Sequence, residues 1–368
     1  MIKDRAQKAS ALRFCVSKRW LPQLEVDIES LMRTEKTKYL LTDLDVLSTA
    51  PSSIGGHIRM VFDCKSGAKE SAIGRAFWLN GVMTRASALH GFVILNDKVS
   101  VTQDHRISAT DLGVSLVHEN EFEDLAQGLG GTIAPTDSAT ANLEAWEQYL
   151  AVGGKYPLLA DYLNFSRSRY WIIKDAGEQA RKTLARLRSI RNELDPAKPE
   201  HLAVFGDALC LFLLAISELA NKLFLVLLRP SSRDEFSISL LSLLYGGYEN
   251  VKAAEKIRRL TSSTTGDDTF DIFPELNRFE QLIREILQAP QQALPASLLA
   301  RELALSSMIK GGITNLQKQI PVESAHAAKY IILASEYLQK AARLPPEFAA
   351  IYCDRAMSIS TASLIKAP

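Results

Sequence analysis

Residues 57–65, HIRMVFDCK, alternate strictly: Ile58, Met60, Phe62 and Cys64 fall on one face, Arg59, Val61, Asp63 and Lys65 on the other. That is the period-2 signature of a strand. YLLTDLDVLST (39–49) alternates in the same way, and PSSIGG (51–56) between the two reads as a turn. LHGFVILN (89–96) is a short continuous apolar run, as a strand buried on both faces requires, and VSLVHE (114–119) predicts a further strand. Helical spacing is read over 17–33, where Leu21, Leu24, Ile28, Leu31 and Met32 make one apolar face and Pro22 falls in the first turns. It recurs over 71–86, with Ile73, Phe77 and Val82 near one stripe, and over 105–113 and 120–129. The predicted order is helix, strand, strand, helix, strand, helix, strand, helix.

The texture changes near residue 135. GLGGTIAPTDSATAN (128–142) is rich in Gly, Thr, Ser and Pro and predicts a joint. Beyond it helical spacing dominates, over about 140–152, 155–192, 199–228, 233–261, 272–288, 295–316, 323–343 and 345–364, with breaks at DPAKPE, RPSS and TSSTTGDDT. A chain of 368 residues suggests about two domains. The expectation is an α/β domain over 1–135, a mixed central sheet flanked by helices, followed by an all-α domain over 140–368. The apolar run 202–229 carries Asp207, Glu218 and Lys222, so it reads as a core helix and not as a membrane span.

Charge narrows the function classes only a little. Forty-three Lys and Arg against forty-two Asp and Glu give a net charge of +1. This excludes a whole-chain polycation but leaves room for local basic surfaces. The four cysteines, Cys15, Cys64, Cys210 and Cys353, lack zinc-site spacing and read as reduced thiols. With MIKDRAQKASALRF lacking the apolar core of a signal peptide, a cytoplasmic protein is expected.

Candidate chemistry lies at the ends of the two alternating strands. Asp43 and Asp45 share one face of the first, and Asp63 and Lys65 share one face of the second. If the strands pair through PSSIGG, three carboxylates and an ammonium converge. Hard oxygen donors of this kind hold Mg²⁺ or Mn²⁺, and the metal activates a water for phosphodiester hydrolysis. A neighbouring lysine orients that water or stabilises the developing charge.

The run TDLDVLST…HIRMVFDCKSG…IGRAFWLNGVM…LHGFVILND…ATDLGVSLVHENEF resembles the PD-(D/E)xK nuclease superfamily, the restriction-endonuclease-like fold, and is most similar to its Mrr-type and CRISPR-ancillary branches. The resemblance spans residues 17–126. It implies that Asp45 and Asp63 are metal ligands, that Lys65 is catalytic, and that the protein is a Mg²⁺-dependent DNA endonuclease, in restriction or anti-phage defence. A nuclease fold without activity, kept for binding nucleic acid or as a scaffold, is the alternative. Asp43 stands where many relatives have Glu, and 71–86 lacks the Gln that relatives often carry there.

A further acid often comes from the first helix of that family. On a helical reading of 17–33, Glu25 lies about 40° from the centre of the apolar stripe and Glu29 about 80°, which selects Glu25 as an assisting catalytic residue. For nucleic-acid contacts, Lys69 and Arg75 follow Lys65 closely, and residues 165–192 carry eight Lys and Arg against two acids. There Arg167, Arg169 and Lys174 interleave with Tyr170 and Trp171, a mixture suited to phosphate contact with base stacking. The N-terminal stretch is basic too, with Lys3, Arg5, Lys8, Arg13, Lys18 and Arg19. The helical domain is expected to bind substrate, a partner protein or a second copy of the chain. His57 and His118 flank strands and read as ordinary edge histidines. Gly128–Gly131 is no P-loop, since no Gly-Lys-Ser/Thr follows, and Ser66-x-x-Lys69 has no companion motif for acyl transfer.

Overall fold

The computed structural model describes residues 2–30, 39–53, 55–228, 232–265 and 272–364. Leu31, Met32 and Ile54, together with residues 229–231 and 266–269 of two expected breaks, lie outside the described residues.

The chain begins with helix α1 (Arg5–Ser17) and then enters a strand, β1 (Leu21–Glu29). This corrects the helix expected over 17–33. Leu24, Val26 and Ile28 are buried, while Glu25, Asp27 and Glu29 between them are only half-buried. Leu24 and Ile28 satisfy both periods, but Val26 and the alternating acids fit only period 2. Pro22 is tolerated because it lies at the start of a strand on the edge of the sheet.

The remaining α/β elements match the sequence closely: β2 (Leu40–Pro51), β3 (His57–Lys65), α2 (Ala72–Ala86), β4 (His90–Leu95), α3 (Gln103–Asp111), β5 (Val114–His118) and α4 (Phe122–Gly128). The five strands form one mixed sheet in the order β1-β2-β3-β4-β5. The first three pair antiparallel, while β3, β4 and β5 run parallel. Ser71 caps α2 by accepting the Gly74 N–H at 3.2 Å. The buried face of α2 is Ala72, Ala76, Leu79, Val82, Met83 and Ala86, not the expected Ile73/Phe77 stripe, and Phe77 is exposed. Gly91 lets α2 approach β4, since a Cβ there would lie 2.7 Å from Leu79 Cδ2.

The rest of the described chain is helical: α5 (Leu143–Leu150), α6 (Val152–Lys155), α7 (Ala160–Asn164), α8 (Tyr170–Ile172), α9 (Ala176–Ser189), α10 (Pro199–Leu227), α11 (Arg233–Tyr245), α12 (Tyr248–Thr265), α13 (Leu276–Leu287), α14 (Ala293–Ser306), α15 (Asn315–Glu323), α16 (Ala327–Ala342) and α17 (Glu347–Leu364). Three expected helices are broken. The 155–192 stretch is interrupted at Pro157 and again at the extended Ile173, before Asp175 caps α9. Gly246 and Gly247, both at positive φ, separate α11 from α12. The 295–316 stretch ends at Ser306, and Thr314 caps a new helix.

Helix α10 is long and apolar enough to cross a membrane, yet 94% of its most apolar window is buried inside the protein. Its Asp207 pairs with Arg301 of α14 and accepts the Tyr162 hydroxyl at 2.7 Å. Arg301 also donates to Gln23 Oε1 of β1 at 2.9 Å. The expected joint is tightly held: buried Glu302 accepts from Ser138 Oγ, Ala139 N, Thr140 N and Thr314 Oγ1 at 2.7–2.8 Å. A continuous apolar core therefore runs from the sheet into the helices. The four cysteines are free thiols.

Candidate functional site

The ladder between β2 and β3 ends at the pair Val46–Phe62, both fully buried. Beyond it a side chain takes over from the backbone: Asp45 Oδ2 accepts the Cys64 N–H at 2.7 Å. Lys65 Nζ lies 3.2 Å from Asp45 Oδ2 and 3.2 Å from Asp63 Oδ1. The trio expected from strand alternation is thus assembled, with Asp45 5% and Asp63 2% exposed.

Glu25 joins it from β1. The pairs Leu24–Val46 and Val26–Leu44 bracket Glu25 and place it opposite Asp45. Glu25 itself has φ +54°, a left-handed conformation rare for a side-chain-bearing residue in a strand. The helical geometry that selected Glu25 is wrong, but the residue reaches the site through the strand register. Asp43 is exposed and lines the same cleft as Asp45. It stands opposite Asp27, and Arg167 offsets that like-charge pair by donating to Asp27 Oδ1 at 3.1 Å.

Two cations complete the cluster. Lys8 of α1 is only 2% exposed, and its ammonium contacts Asp45 Oδ1 at 2.8 Å and Glu25 Oε1. In the sequence Lys8 stands out only as one of several basic residues near the N-terminus. Its signal was a lysine on the same helical face as Ala11, Leu12 and Cys15, hidden because the first helix was expected downstream. Arg75 of α2 donates from Nε to Asp63 Oδ2 at 2.7 Å, grips Oδ1 with its other arm, and stacks 4.1 Å from the Trp78 ring centre.

These contacts set the protonation of the site. Burial alone would lower the Lys8 and Lys65 ammonium groups, but the carboxylates beside them outweigh it and hold both above the ordinary lysine value. Lys65 is therefore a fixed cation, suited to orienting water and stabilising negative charge. Burial pushes the Asp63 carboxyl up, and Arg75 and Lys65 pull against that.

Part of the cluster, Lys8, Glu25, Asp45 and Lys65, lines a cleft of about 810 Å³. Asp4 lines it too, with Glu147, Leu150, Ala151 and Arg167 of the helical region. Asp4 ties the α1 start to the end of β3 by accepting from Ser66 N at 2.9 Å. A separate groove of about 480 Å³ at the end of α10 is apolar and holds none of these acids.

The expected nucleic-acid contacts divide. Lys69, Arg169 and Lys174 are exposed. Arg75 is committed to Asp63, and Arg167 donates to the Glu25 carbonyl at 2.8 Å as well as to Asp27. Base stacking on Tyr170 and Trp171 is ruled out by burial: their rings are 0% and 1% exposed, and both polar tips bond to backbone carbonyls. His118 bonds the Val99 carbonyl at 2.9 Å, away from the cluster. His57 contacts Ser217 Oγ at 2.8 Å, joining β3 to α10.

Asp45 Oδ1 and Glu25 Oε1 converge on one point, held by an ammonium. Hard carboxylate oxygens around a cation are the donor set that suits Mg²⁺ or Mn²⁺. Among the described residues no three His, Cys, Asp or Glu side chains form a ready-made metal group. Asp63 is turned to Arg75 and Lys65, and would add an oxygen only by releasing one of them. No family model, curated protein or solved structure matches the chain.

Proposed function

We propose that the chain is a Mg²⁺-dependent phosphodiesterase, an endonuclease acting on DNA, with the cleft-lining Asp45 and Lys65, and Asp63 beside Lys65, as its reaction centre. The observation that carries this reading is the placement of Lys65 Nζ 3.2 Å from both buried carboxylates at the edge of an open polar cleft. The order of three antiparallel strands, helix and parallel strand within residues 17–126, with α1 just before it, supports taking that region as a restriction-endonuclease-like domain. The helical region also contributes residues to the cleft and is assigned the holding of substrate, a partner protein or a second copy.

Asp45 with Glu25 would hold the metal, which supplies Lewis acidity and an acidified water when bound. Lys65, kept charged by its two carboxylates, orients the attacking water and stabilises charge on the phosphate. Asp63, anchored by Arg75, positions Lys65. Exposed Lys69, Arg169 and Lys174 are assigned phosphate contacts. Defence against foreign DNA is the biological setting this reading suggests, in the cytoplasm.

A second reading has its own observation. Asp45 and Asp63 are already matched by Lys8, Lys65 and Arg75, so the site is electrostatically complete as an inert nucleic-acid-binding scaffold. Incubating the full chain with plasmid, single-stranded DNA and RNA, in Mg²⁺ or Mn²⁺, beside Asp45→Asn and Lys65→Ala, separates the two. Metal-dependent cleavage lost in both variants supports the enzyme. Equal cleavage by all three proteins sinks it, and binding without hydrolysis selects the scaffold.

A further inference from the structure

A lysine is rarely buried unless paired, and Lys8 is buried between two carboxylates. The oxygens of Asp45 are divided. Oδ2 is committed to the Cys64 N–H and Lys65, while Oδ1 faces Lys8. The partner acid, Glu25, is presented by a backbone held at φ +54° and anchored through its carbonyl by Arg167. Conformations of this kind persist where surrounding structure enforces them, and they cluster at functional sites. The strand is therefore shaped to bring a second carboxylate to the point that Lys8 occupies.

Lys8 also borders the cleft, so its ammonium has somewhere to go. Removing the cation with nothing in its place would leave two carboxylates facing each other in a nearly dry setting, which is costly. A divalent ion offers the same two oxygens twice the charge.

We propose that Lys8 is a resident counter-ion that exchanges with the divalent metal: loading of Asp45 and Glu25 expels the Lys8 ammonium into the cleft. This rests on the reading of the cluster as a metal centre. The expelled ammonium then faces the side of the cleft where a substrate phosphate lies. Metal and nucleic acid consequently favour each other's binding, and linkage makes that coupling reciprocal. An empty site is closed by the protein's own cation, so metal binds weakly until substrate captures Lys8.

Two measurements on the full chain test this. In the first, amine acylation read by mass spectrometry compares Lys8 with exposed Lys69, with and without Mn²⁺. Lys8 is expected to be protected without metal and to label at least tenfold faster with saturating Mn²⁺, with no such rise in Asp45→Asn. In the second, Mn²⁺ binding is measured by electron paramagnetic resonance, and Lys8→Met is expected to bind at least tenfold more tightly than wild type. The labelling needs no variant at Lys8 and stands even if Lys8→Met folds poorly. Persistent protection of Lys8 in wild-type protein shown to be Mn²⁺-loaded overturns the exchange while leaving the nuclease reading intact. Absence of Mn²⁺ binding in both wild type and Lys8→Met removes the metal centre itself, and the exchange with it.

Discussion

Lys8 Nζ lies 2.8 Å from Asp45 Oδ1, and through that contact the first helix reaches the middle of the second strand. On the other oxygen of the same carboxylate stands Lys65. One buried acid is thus shared by two ammonium groups of different origin, one from the strand that pairs with it and one from α1. Only Lys65 has a second buried aspartate holding it in place.

That difference sets the first prediction. Lys65→Ala is expected to lower the cleavage rate about 100-fold or more while the protein stays folded, since a positioned charge at the reaction centre contributes on that scale. Single-turnover cleavage with the thermal melting profile beside it checks this. A rate within about threefold of wild type would remove Lys65 from the chemistry.

Arg301 and Asp207 form a fully buried ion pair between α14 and α10, with Gln23 of β1 on the same guanidinium. Arg301→Met strands Asp207 as a buried charge and is expected to cost about 3–5 kcal/mol in denaturant unfolding. Adding Asp207→Leu removes the stranded charge, and the double variant is expected to recover more than half of the loss.

Glu302 holds the chain at Ser138, Ala139 and Thr140, where sequence composition alone suggests a loose joint. Glu302→Gln replaces one of the two acceptor oxygens with a donor and is expected to destabilise by about 1–3 kcal/mol. Limited proteolysis checks the location: a new cut between residues 135 and 142 is expected in the variant and not in wild type.

His57 provides the pH dependence. Burial, with Arg59 and Lys222 nearby, lowers it to about 3, so it stays neutral in the folded protein at neutral pH. The unfolded chain takes up the proton near pH 6.5. The stabilisation is therefore present above pH 6.5 and is lost as pH falls toward 3. Between pH 7 and pH 5 wild type is expected to lose about 2 kcal/mol more than His57→Gln, measured by urea unfolding at both values. Parallel pH curves would contradict this account of the β3–α10 contact.

The sequence by itself determined β2 to β5, the helix between β3 and β4, the passage from an α/β region to a helical one, and the meeting of Asp45, Asp63 and Lys65. Each comes from a local period and a short connection: alternation assigns a residue to a face, and the turn between β2 and β3 brings the two faces together. Tertiary structure decided what local patterns left degenerate. Leu24 and Ile28 fit a helix and a strand equally, and pairing with β2 chose the strand. Tyr170 and Trp171 beside arginines fit a stacking surface until packing buried them. The partners of the acids, Lys8 from α1 and Arg75 from α2, are set by where two helices dock on the sheet. No spacing along the chain encodes that docking, because it comes from apolar burial and from the need of each buried charge for a counter-charge.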